Sequence, residues 1–355
     1  MSSKIRIAII GMGMGRFHLQ HYLKSPFAEV VALVDLDAGR LADVHKLAPQ
    51  SQTFSNHKEM LRAVKPDLVS VALPNVLHES VSVDCLEAGA HVLCEKPMSM
   101  NVASALRMRD AAEKAKRQLY INFSQRFSPF SQTARRLVDE GSLGPLYHAY
   151  VQWTRRDGMP NFGGWFGQKS ASGGGPLIDL GVHRLDLVLW LMGKVKPVTV
   201  SGVTHHRIGV PRAKVQGKSF DVEDFATGLV RLDNGASIAF EVSWANYQIR
   251  HEEQSLRLQG ETGAIEGGPG VHGDYTLHYC HHTAGTHMVS VPVRPGPEIT
   301  SYEEVARCLA SGDAFPSTAQ DGIRLQIILD ALYESARQGR EILVEDFAGP
   351  ALAYL

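Results

Sequence analysis

The sequence lacks several features that mark particular protein classes. Its four cysteines show no CxxC spacing, which argues against a disulfide framework and fits reduced thiols in a cytoplasmic protein. No apolar run approaches the roughly 20 residues that a membrane helix needs, so we expect no membrane partner. Lys and Arg number 36 and Asp and Glu 37. The formal net charge of -1 therefore leaves no broad basic surface for a nucleic acid.

The length of 355 residues predicts two domains. In residues 1–124, nearly continuous apolar runs alternate with helical patterns, which is typical of a doubly wound parallel sheet. We therefore predict an N-terminal Rossmann domain of the α/β class. The runs that we assign to strands are Ile5–Ile10, Val30–Val34, Leu68–Leu73, His91–Cys94 and Leu119–Phe123.

From residue 125 the pattern changes to segments in which apolar residues alternate with polar ones. Residues 125–355 are therefore predicted to form an α+β domain with a large, mostly antiparallel open sheet. Asn234-Gly235 predicts a hairpin with a type I′ turn, because both residues tolerate the positive φ that this turn requires. A last long helix, about Thr318 to Gln338, is compatible with either domain. The segments in question are a helix over about Phe130–Asp139 and strands over Tyr147–Thr154, Val198–Arg207, Phe225–Leu232, Ala236–Trp244 and Ser255–Leu258.

A glycine-rich turn follows the first strand. There a pyrophosphate can approach bare backbone N–H groups at the start of a helix. The spacing is GxGxG, and the third glycine position of the usual GxGxxG fingerprint is occupied by Arg16. A plain turn between strand and helix is the alternative reading. The predicted cofactor contacts in this turn are Gly11, Met12, Gly13, Met14, Gly15 and Arg16.

An acidic residue strengthens the dinucleotide interpretation. Asp35 ends the second strand, where a carboxylate accepts hydrogen bonds from both hydroxyls of the adenosine ribose. The same carboxylate repels a 2′-phosphate, so we predict NAD over NADP, although Arg40 offsets part of that repulsion.

Two further clusters follow strands of the predicted Rossmann sheet. Open α/β sheets bind ligands at the carboxyl ends of their strands, so both clusters are candidates to face the nicotinamide. Simple termination of the strands by Pro74 and Pro97 is the alternative. The residues concerned are Leu73, Pro74, Asn75 and His78 in one cluster and Glu95 and Lys96 in the other.

A third cluster carries an acid and a base on one predicted helix. Pro176 suits the first helical turn, so Asp179 and His183 lie four residues apart on one face. Oxidation of a secondary alcohol needs a base for the hydroxyl proton, and histidine titrates nearest neutrality. We predict His183 as that base, oriented by Asp179 or Asp186, with Lys96 bonded to the substrate oxygen. A surface contact between Asp179 and His183 is the alternative.

Taken in order, these motifs resemble the Gfo/Idh/MocA oxidoreductases, named for glucose-fructose oxidoreductase and inositol dehydrogenase. The resemblance spans nearly the whole chain. The segments that carry it are Gly11 to His18, Pro74-Asn75 with His78, Glu95-Lys96-Pro97, Gln125 to Pro129 and Gly173 to Asp186.

The resemblance implies a Rossmann domain joined to an α/β domain whose open sheet forms homodimers or homotetramers. It assigns catalysis to Lys96, Asp179 and His183, and places Asn75, His78 and Glu95 beside the nicotinamide. It also makes Lys96-Pro97 a candidate cis peptide.

Family substrates are mostly sugars, inositols and related polyhydroxylated rings, so we expect a small polyol substrate. Many relatives have Trp-Arg where this chain has Trp165-Phe166, and Arg155, Arg156 or Lys169 is a candidate to replace the missing cation. Tryptophans can supply flat surfaces for a ring, although burial in the core is the alternative reading for each of them. The predicted substrate-binding residues are Arg126, Trp153, Arg155, Trp165 and Lys169, and Trp244 is a third candidate surface.

A histidine-rich stretch, with His278, His281, His282 and His287 around Cys280, fits no tetrahedral spacing template, and we predict no metal. The predicted function is hydride transfer between NAD(P) and a secondary alcohol or ketone of a polyol. Two alternatives stay open: a glycoside hydrolase or lyase with tightly held NAD, and a dinucleotide-binding regulator without catalysis.

Overall fold

The computed structural model describes residues 4–269, 275–282, 286–292 and 299–354. Contact clustering divides the chain into two compact units. The first contains residues 1–123 and 299–326, and the second contains residues 124–298 and 327–355.

The first unit is built on a parallel six-stranded sheet in the order β3-β2-β1-β4-β5-β6. This is the doubly wound order of a Rossmann fold, and it confirms the predicted class. The strands are β1 (Ile5–Ile10), β2 (Ala28–Val34), β3 (Gln52–Phe54), β4 (Leu68–Val71), β5 (His91–Cys94) and β6 (Leu119–Ile121). The helices among them are α1 (Gly15–Tyr22), α2 (Ala38–His45), α3 (His57–Val64), α4 (His78–Glu87) and α5 (Val102–Ala115).

Burial explains why the apolar runs form these strands. Every residue of β4 is buried, and so are the last four of β1, as expected for a sheet covered by helices on both faces. The sequence analysis assigned no strand to Gln52–Phe54, because this short strand at the sheet edge has only one apolar residue.

The second unit contains a nine-stranded sheet in the order β14-β13-β12-β11-β7-β10-β9-β8-β15. Its neighbouring strands are antiparallel except for β7 and β10, which confirms the predicted mostly antiparallel sheet. The strands are β7 (Leu146–Arg155), β8 (Pro197–His205), β9 (Phe225–Leu232), β10 (Ser237–Ser243), β11 (Glu252–Gly260), β12 (Gly263–Pro269), β13 (Tyr275–His282), β14 (Thr286–Pro292) and β15 (Ile342–Leu343). The helices in residues 124–298 are α6 (Pro129–Asp139), α7 (Lys169–Ser172), α8 (Val182–Met192) and α9 (Gly209–Val215).

The hairpin predicted at Asn234-Gly235 is present between β9 and β10, but its turn type was predicted wrongly. Only Gly235 has a positive φ, of 83°, and the side chain of Asn234 accepts a hydrogen bond from the backbone N–H of Ala236. A type I′ turn needs two residues at positive φ. The chain therefore turns through a longer loop in which glycine supplies the single left-handed residue.

The C-terminal helices are α10 (Ser301–Ser311), α11 (Ala319–Gln338) and α12 (Val344–Ala348). Residues 299–326, which the sequence analysis assigned to the second domain, cluster with the first unit. Contacts within that unit explain this: the Phe315 ring lies 5.0 Å from that of Tyr120, and Ser317 Oγ donates to the Ile121 carbonyl. The long helix α11 is itself divided after Gln326. None of the helices in the described ranges has both the length and the apolar character that crossing a bilayer requires.

Candidate active site

The glycine turn after β1 has the geometry that a dinucleotide needs. Gly11 has a φ of +91°, and a Cβ placed on it would lie 2.3 Å from the carbonyl oxygen of Ala72. Glycine is therefore required at this position. A Cβ on Gly13 would meet no atom within 4 Å, and Gly13 is exposed, so open space lies beside its backbone. This arrangement leaves room for a pyrophosphate at the start of α1.

In the usual GxGxxG fingerprint, the third glycine allows the helix to pack closely on the strand. That position is Arg16 here, and Gly15 fills the packing role instead. A Cβ on Gly15 would lie 2.9 Å from Cγ2 of Ile9 and 3.2 Å from Cε of Met12. Gly15 therefore permits the close approach of helix α1 to strand β1. Arg16 is exposed, one position further along the helix.

Asp35 is held by the glycine turn itself. Its Oδ2 accepts a hydrogen bond of 2.6 Å from the Met12 N–H, and its Oδ1 accepts one of 2.8 Å from the Asp37 N–H. Arg40 is half exposed and lies 3.4 Å from Asp35 and 3.6 Å from Asp37. Because two carboxylates already face the guanidinium, Arg40 is poorly placed to compensate a 2′-phosphate. The geometry fits NAD.

The loops that follow β4 and β5 are joined by His78. Its ring is fully buried, with Nδ1 2.8 Å from the Pro97 carbonyl oxygen and Nε2 2.9 Å from the Leu73 carbonyl oxygen. Burial lowers the pKa of His78, although both carbonyls favour the protonated ring. The imidazole thereby holds together the two loops that the resemblance places beside the nicotinamide.

The other residues of these two loops differ in their exposure. Asn75 is buried, while Leu73, Pro74, Glu95 and Lys96 are half-buried. The Lys96-Pro97 peptide bond is cis, as the resemblance implied.

Glu95 lies at the centre of a hydrogen-bond network. Its Oε1 accepts from Asn122 Nδ2 at 2.6 Å and from Tyr302 at 3.4 Å, and it lies 2.8 Å from His18 Nε2. The Nδ1 of His18 lies 2.9 Å from Ser70 Oγ. The sequence analysis assigned no role to His18, Asn122 or Tyr302, because these partners are up to 207 residues from Glu95 along the chain.

This environment keeps Glu95 ionised. Burial by itself would raise its pKa, but the hydrogen bond and charge of His18, the hydrogen bond of Asn122 and the charge of Lys96 lower it to about 2. A carboxylate is thus fixed immediately before Lys96.

In the second unit, Asp179 and His183 share one helical surface. Residues Leu177–Gly181 form a π-helical turn that leads directly into α8. In residues 174–189, only Asp179 and His183 are not fully buried. The predicted helix start at Pro176 is present, but its first turn is a π-turn, a feature that is frequent at functional sites.

The carboxylate of Asp179 is positioned by a tryptophan. Trp244 Nε1 donates a hydrogen bond of 2.9 Å to Asp179 Oδ2. The Trp244 ring is almost fully buried, so it offers no surface to a sugar ring. Trp244 is therefore a core residue, as in the alternative given in the sequence analysis, and its indole N–H has a polar partner.

Arg126 and Asp186, both selected in the sequence analysis, form a buried ion pair. Arg126 is buried and donates from Nε to Asp186 Oδ2 at 2.9 Å, while its second contact, to Asp186 Oδ1, is 2.5 Å long. This paired geometry is that of a strong, charge-assisted ion pair. Because both side chains are almost fully buried, the pair contributes to the interior of the second unit.

The triple glycine before the π-turn is explained by close packing. A Cβ on Gly174 would lie 1.9 Å from the Tyr333 hydroxyl, and one on Gly175 would lie 2.0 Å from the carbonyl oxygen of Glu223. Glu223 Oε1 in turn accepts hydrogen bonds from Leu177 N and Tyr333. These contacts fix the start of the segment that carries Asp179.

The remaining predicted substrate residues also lie in the second unit. Trp153 and Arg155 are half-buried on β7, and the Trp153 ring lies 5.8 Å from that of His183. Trp165 is half-buried beside Phe166, with ring centres 4.0 Å apart. Lys169 is exposed at the start of α7, and its Nζ lies 5.9 Å from the Tyr333 ring.

No cluster of three or more histidine, cysteine or acidic side chains able to hold a metal occurs among the described residues. The side chains of His282 and His287, part of the histidine-rich stretch, lie outside that set.

Comparison with known proteins assigns both halves of the chain. Residues 5–123 match a model described as "Oxidoreductase family, NAD-binding Rossmann fold", and residues 131–266 match the GFO/IDH/MocA C-terminal domain. The chain is 31% identical over 354 residues to D-glucoside 3-dehydrogenase of Escherichia coli K12, covering 96% of this chain and 98% of the relative. The chain belongs to the Gfo/Idh/MocA oxidoreductase family.

Other members of the Gfo/Idh/MocA family agree with this assignment. Inositol 2-dehydrogenase of Corynebacterium glutamicum strain R is 30% identical, with 75% of this chain and 77% of the relative covered. Levoglucosan dehydrogenase in complex with NADH has the same fold, with a TM-score of 0.83 at 21% identity over 96% of this chain and 99% of that one. The chain is thus an NAD(P)-dependent dehydrogenase or reductase with an NAD-binding Rossmann fold, and Gly11, Gly13 and Asp35 fit NAD.

Substitutions in the turn should separate folding from cofactor binding. Gly11→Ala forces a side chain into a positive φ and against Ala72, so we expect a loss of stability of at least about 2 kcal/mol. Gly13→Ala meets open space, so it should leave the melting temperature unchanged while weakening NADH binding, measured by fluorescence titration. Equal effects of the two variants on stability would contradict this account.

The Glu95 network predicts a particular dependence of stability on pH. The native pKa of about 2 lies below the ordinary value of 4.5, so the stabilisation is complete above about pH 4.5 and is lost as the pH falls toward 2. Glu95→Gln should cost about 2 kcal/mol at neutral pH, and this difference from wild type should shrink in acid. Urea unfolding at several pH values measures it, and a difference that does not depend on pH would contradict the assignment.

Proposed function

We propose that this member of the family oxidises a secondary alcohol of a sugar, inositol or related polyol, with His183 as the acid/base. The observation that carries the proposal is that Asp179 and His183, four residues apart, are the only side chains in residues 174–189 that are not fully buried. The names of the relatives support the substrate class, since they include a D-glucoside 3-dehydrogenase, inositol 2-dehydrogenases and a D-apiose dehydrogenase.

Each residue has a defined part in the proposed reaction. His183 removes the hydroxyl proton as the carbon–oxygen bond becomes a carbonyl. Asp179, held by Trp244, stabilises the imidazolium that results. We assign to Lys96 the hydrogen bond to the oxygen on which negative charge develops. NAD, when held by the cofactor residues proposed below, would supply the hydride acceptor for this oxidation.

The cofactor would be held by a subset of the residues that the sequence analysis selected. We propose that the glycine turn binds the pyrophosphate, that Asp35 accepts from the ribose hydroxyls, and that Asn75, Glu95 and Lys96 line the nicotinamide end. His78 stabilises the two loops that carry Asn75 and Lys96 through hydrogen bonds to the carbonyls of Leu73 and Pro97.

We further propose that the chain forms homodimers or homotetramers in the cytoplasm. On one face of the central sheet, Tyr150, Ala239 and Leu229 are direct neighbours across β7, β10 and β9, and each is half-buried. The opposite face carries buried residues such as Val151 and Phe240. A half-buried face on three central strands suits pairing with a second copy. Free cysteines at all four positions fit a reducing compartment.

Loss of either proposed catalytic side chain should abolish most turnover. We expect Lys96→Ala and His183→Ala each to lower kcat at least about a hundredfold, the low end for positioned acid/base groups. NADH affinity should stay near wild type. A screen of NAD reduction with D-glucosides, inositols, anhydrosugars and aldoses measures this, with exposed Lys24→Ala and His206→Ala as matched controls. Near-normal turnover in both catalytic variants would refute the assignment.

A charge on the proposed assembly face should separate the subunits. Leu229→Asp places a carboxylate on the half-buried face, so sedimentation should show a shift from oligomer to monomer. The control, Val215→Asp, changes a residue of α9 that is 89% exposed and should not alter the oligomer. An unchanged oligomer in Leu229→Asp, or a monomeric wild type, would contradict the proposed interface.

A further inference from the structure

A group of polar side chains that the proposed mechanism does not use adjoins His183. It lies on two neighbouring strands, where Trp153 and Arg155 of β7 are directly opposite Gln254 and Glu252 of β11. Residues directly opposite each other on paired strands lie on the same face of the sheet. The four side chains therefore form one cluster, which we call the Glu252 cluster.

Glu252 is the acceptor at the centre of this cluster. Its Oε1 accepts hydrogen bonds from Trp153 Nε1, from Arg155 Nε at 3.1 Å and from Gln254 Nε2 at 3.2 Å. Its Oε2 accepts no hydrogen bond from the residues that the structure describes. The side chain is 34% exposed, so this second oxygen can accept a hydrogen bond from a bound molecule.

The surroundings of Glu252 favour its ionised form. Partial burial acts to raise its pKa, but the hydrogen bond from Trp153 and the charge of Arg155 outweigh that effect and lower it. The carboxylate is therefore ionised at neutral pH.

The Glu252 cluster is tied directly to the proposed acid/base. The Trp153 ring lies 5.8 Å from the His183 ring, and the guanidinium carbon of Arg184, the next residue, lies 4.9 Å from the Trp153 centroid. Arg184 also donates a hydrogen bond to Gln254. Trp153 is flanked by Arg155 as well, at 5.2 Å, so its ring orders charged groups rather than lying open as a platform.

Carboxylates accompany the cations of the second unit around His183. Two cations, Arg155 and Arg184, stand against two carboxylates, Glu252 and Asp179. Arg126 adds nothing, because Asp186 neutralises it in the core. A neutral hydroxyl compound fits these surroundings, whereas a carboxylate would meet the ionised Glu252.

We propose that Glu252 is a specificity-determining residue that accepts a hydroxyl of a neutral polyol and excludes sugar acids. This inference rests on the proposed function, since it selects a substrate class for the same site. A site built to accept a hydroxyl discriminates strongly against a group that leaves its polar atoms unpaired, and like charges brought together cost several kcal/mol.

The test compares methyl β-D-glucoside with methyl β-D-glucuronide, which differ only in a terminal alcohol or carboxylate. Both are measured as substrates, or as competitive inhibitors of whichever polyol is turned over, and the neutral-to-acid ratio of affinities is determined. Wild type should favour the neutral compound at least about tenfold, and Glu252→Gln should reduce that ratio at least about tenfold, because Arg155 loses its counter-charge.

Two further variants guard against a purely structural effect. Glu253→Gln changes the next residue, whose carboxylate pairs with Arg250 at 3.5 Å, and should leave the ratio unchanged. Arg155→Gln should raise the ratio, opposite in sign to Glu252→Gln, so the inference stays testable if one variant folds poorly.

The possible outcomes separate the two proposals. An unchanged ratio in Glu252→Gln, or a wild type that accepts the glucuronide as well as the glucoside, would overturn the role of Glu252 while leaving the polyol dehydrogenase intact. Absence of NAD reduction with every polyol would instead refute the proposed function, and the role of Glu252 with it.

Discussion

The hydrogen-bond network around the Glu95 carboxylate is the interaction on which the first unit depends. The carboxylate lies next to the cis Lys96-Pro97 bond and receives groups from α1, from the end of β6 and from α10. An unpaired carboxylate in this environment would be costly, whereas one with several donors is stable and immobile. The cluster of Tyr302 with residues of α1 follows from it, with the His18 ring 4.5 Å from Tyr302. Lys96 is therefore presented from a rigid point.

In the second unit, a π-turn and a tryptophan hold the carboxylate of Asp179 in place. Asp179 must reach the surface from a segment that is otherwise buried, and the π-turn allows this while Trp244 fixes the carboxylate. The glycines before it let the chain pass against Tyr333 and Glu223. The Arg126–Asp186 ion pair of the same unit is buried, whereas Asp179 and His183 are partly exposed.

The sequence predicted those features that local chemistry determines. The apolar runs at Ile5–Ile10 and His91–Cys94 coincide with strands, and a glycine at position 11 is needed because of a positive φ. Features that depend on distant partners were missed or misread. His78 has a polar side chain in a functional motif, yet its ring is buried between two carbonyls. The ion pair of Arg126 has no local signal, because its partner, Asp186, is 60 residues away along the chain.

The sequence predicted which residues belong to the candidate site, but it did not predict which of them contact one another. Asp179 and His183 were selected from their spacing, which a helix converts into a shared face. Glu252 carries no motif, since a lone glutamate on an alternating strand is indistinguishable from a solvent-exposed charge until its partners on β7 are known.

The central claim is that this chain moves a hydride between a polyol carbon and NAD while His183 takes the proton. Incubation with a polyol deuterated at its carbinol carbons tests it most directly. The account predicts that the NADH formed carries one deuterium by mass spectrometry, and that His183→Ala slows its appearance. Product formation in which the deuterium appears in solvent, with no labelled NADH at any time, would contradict it.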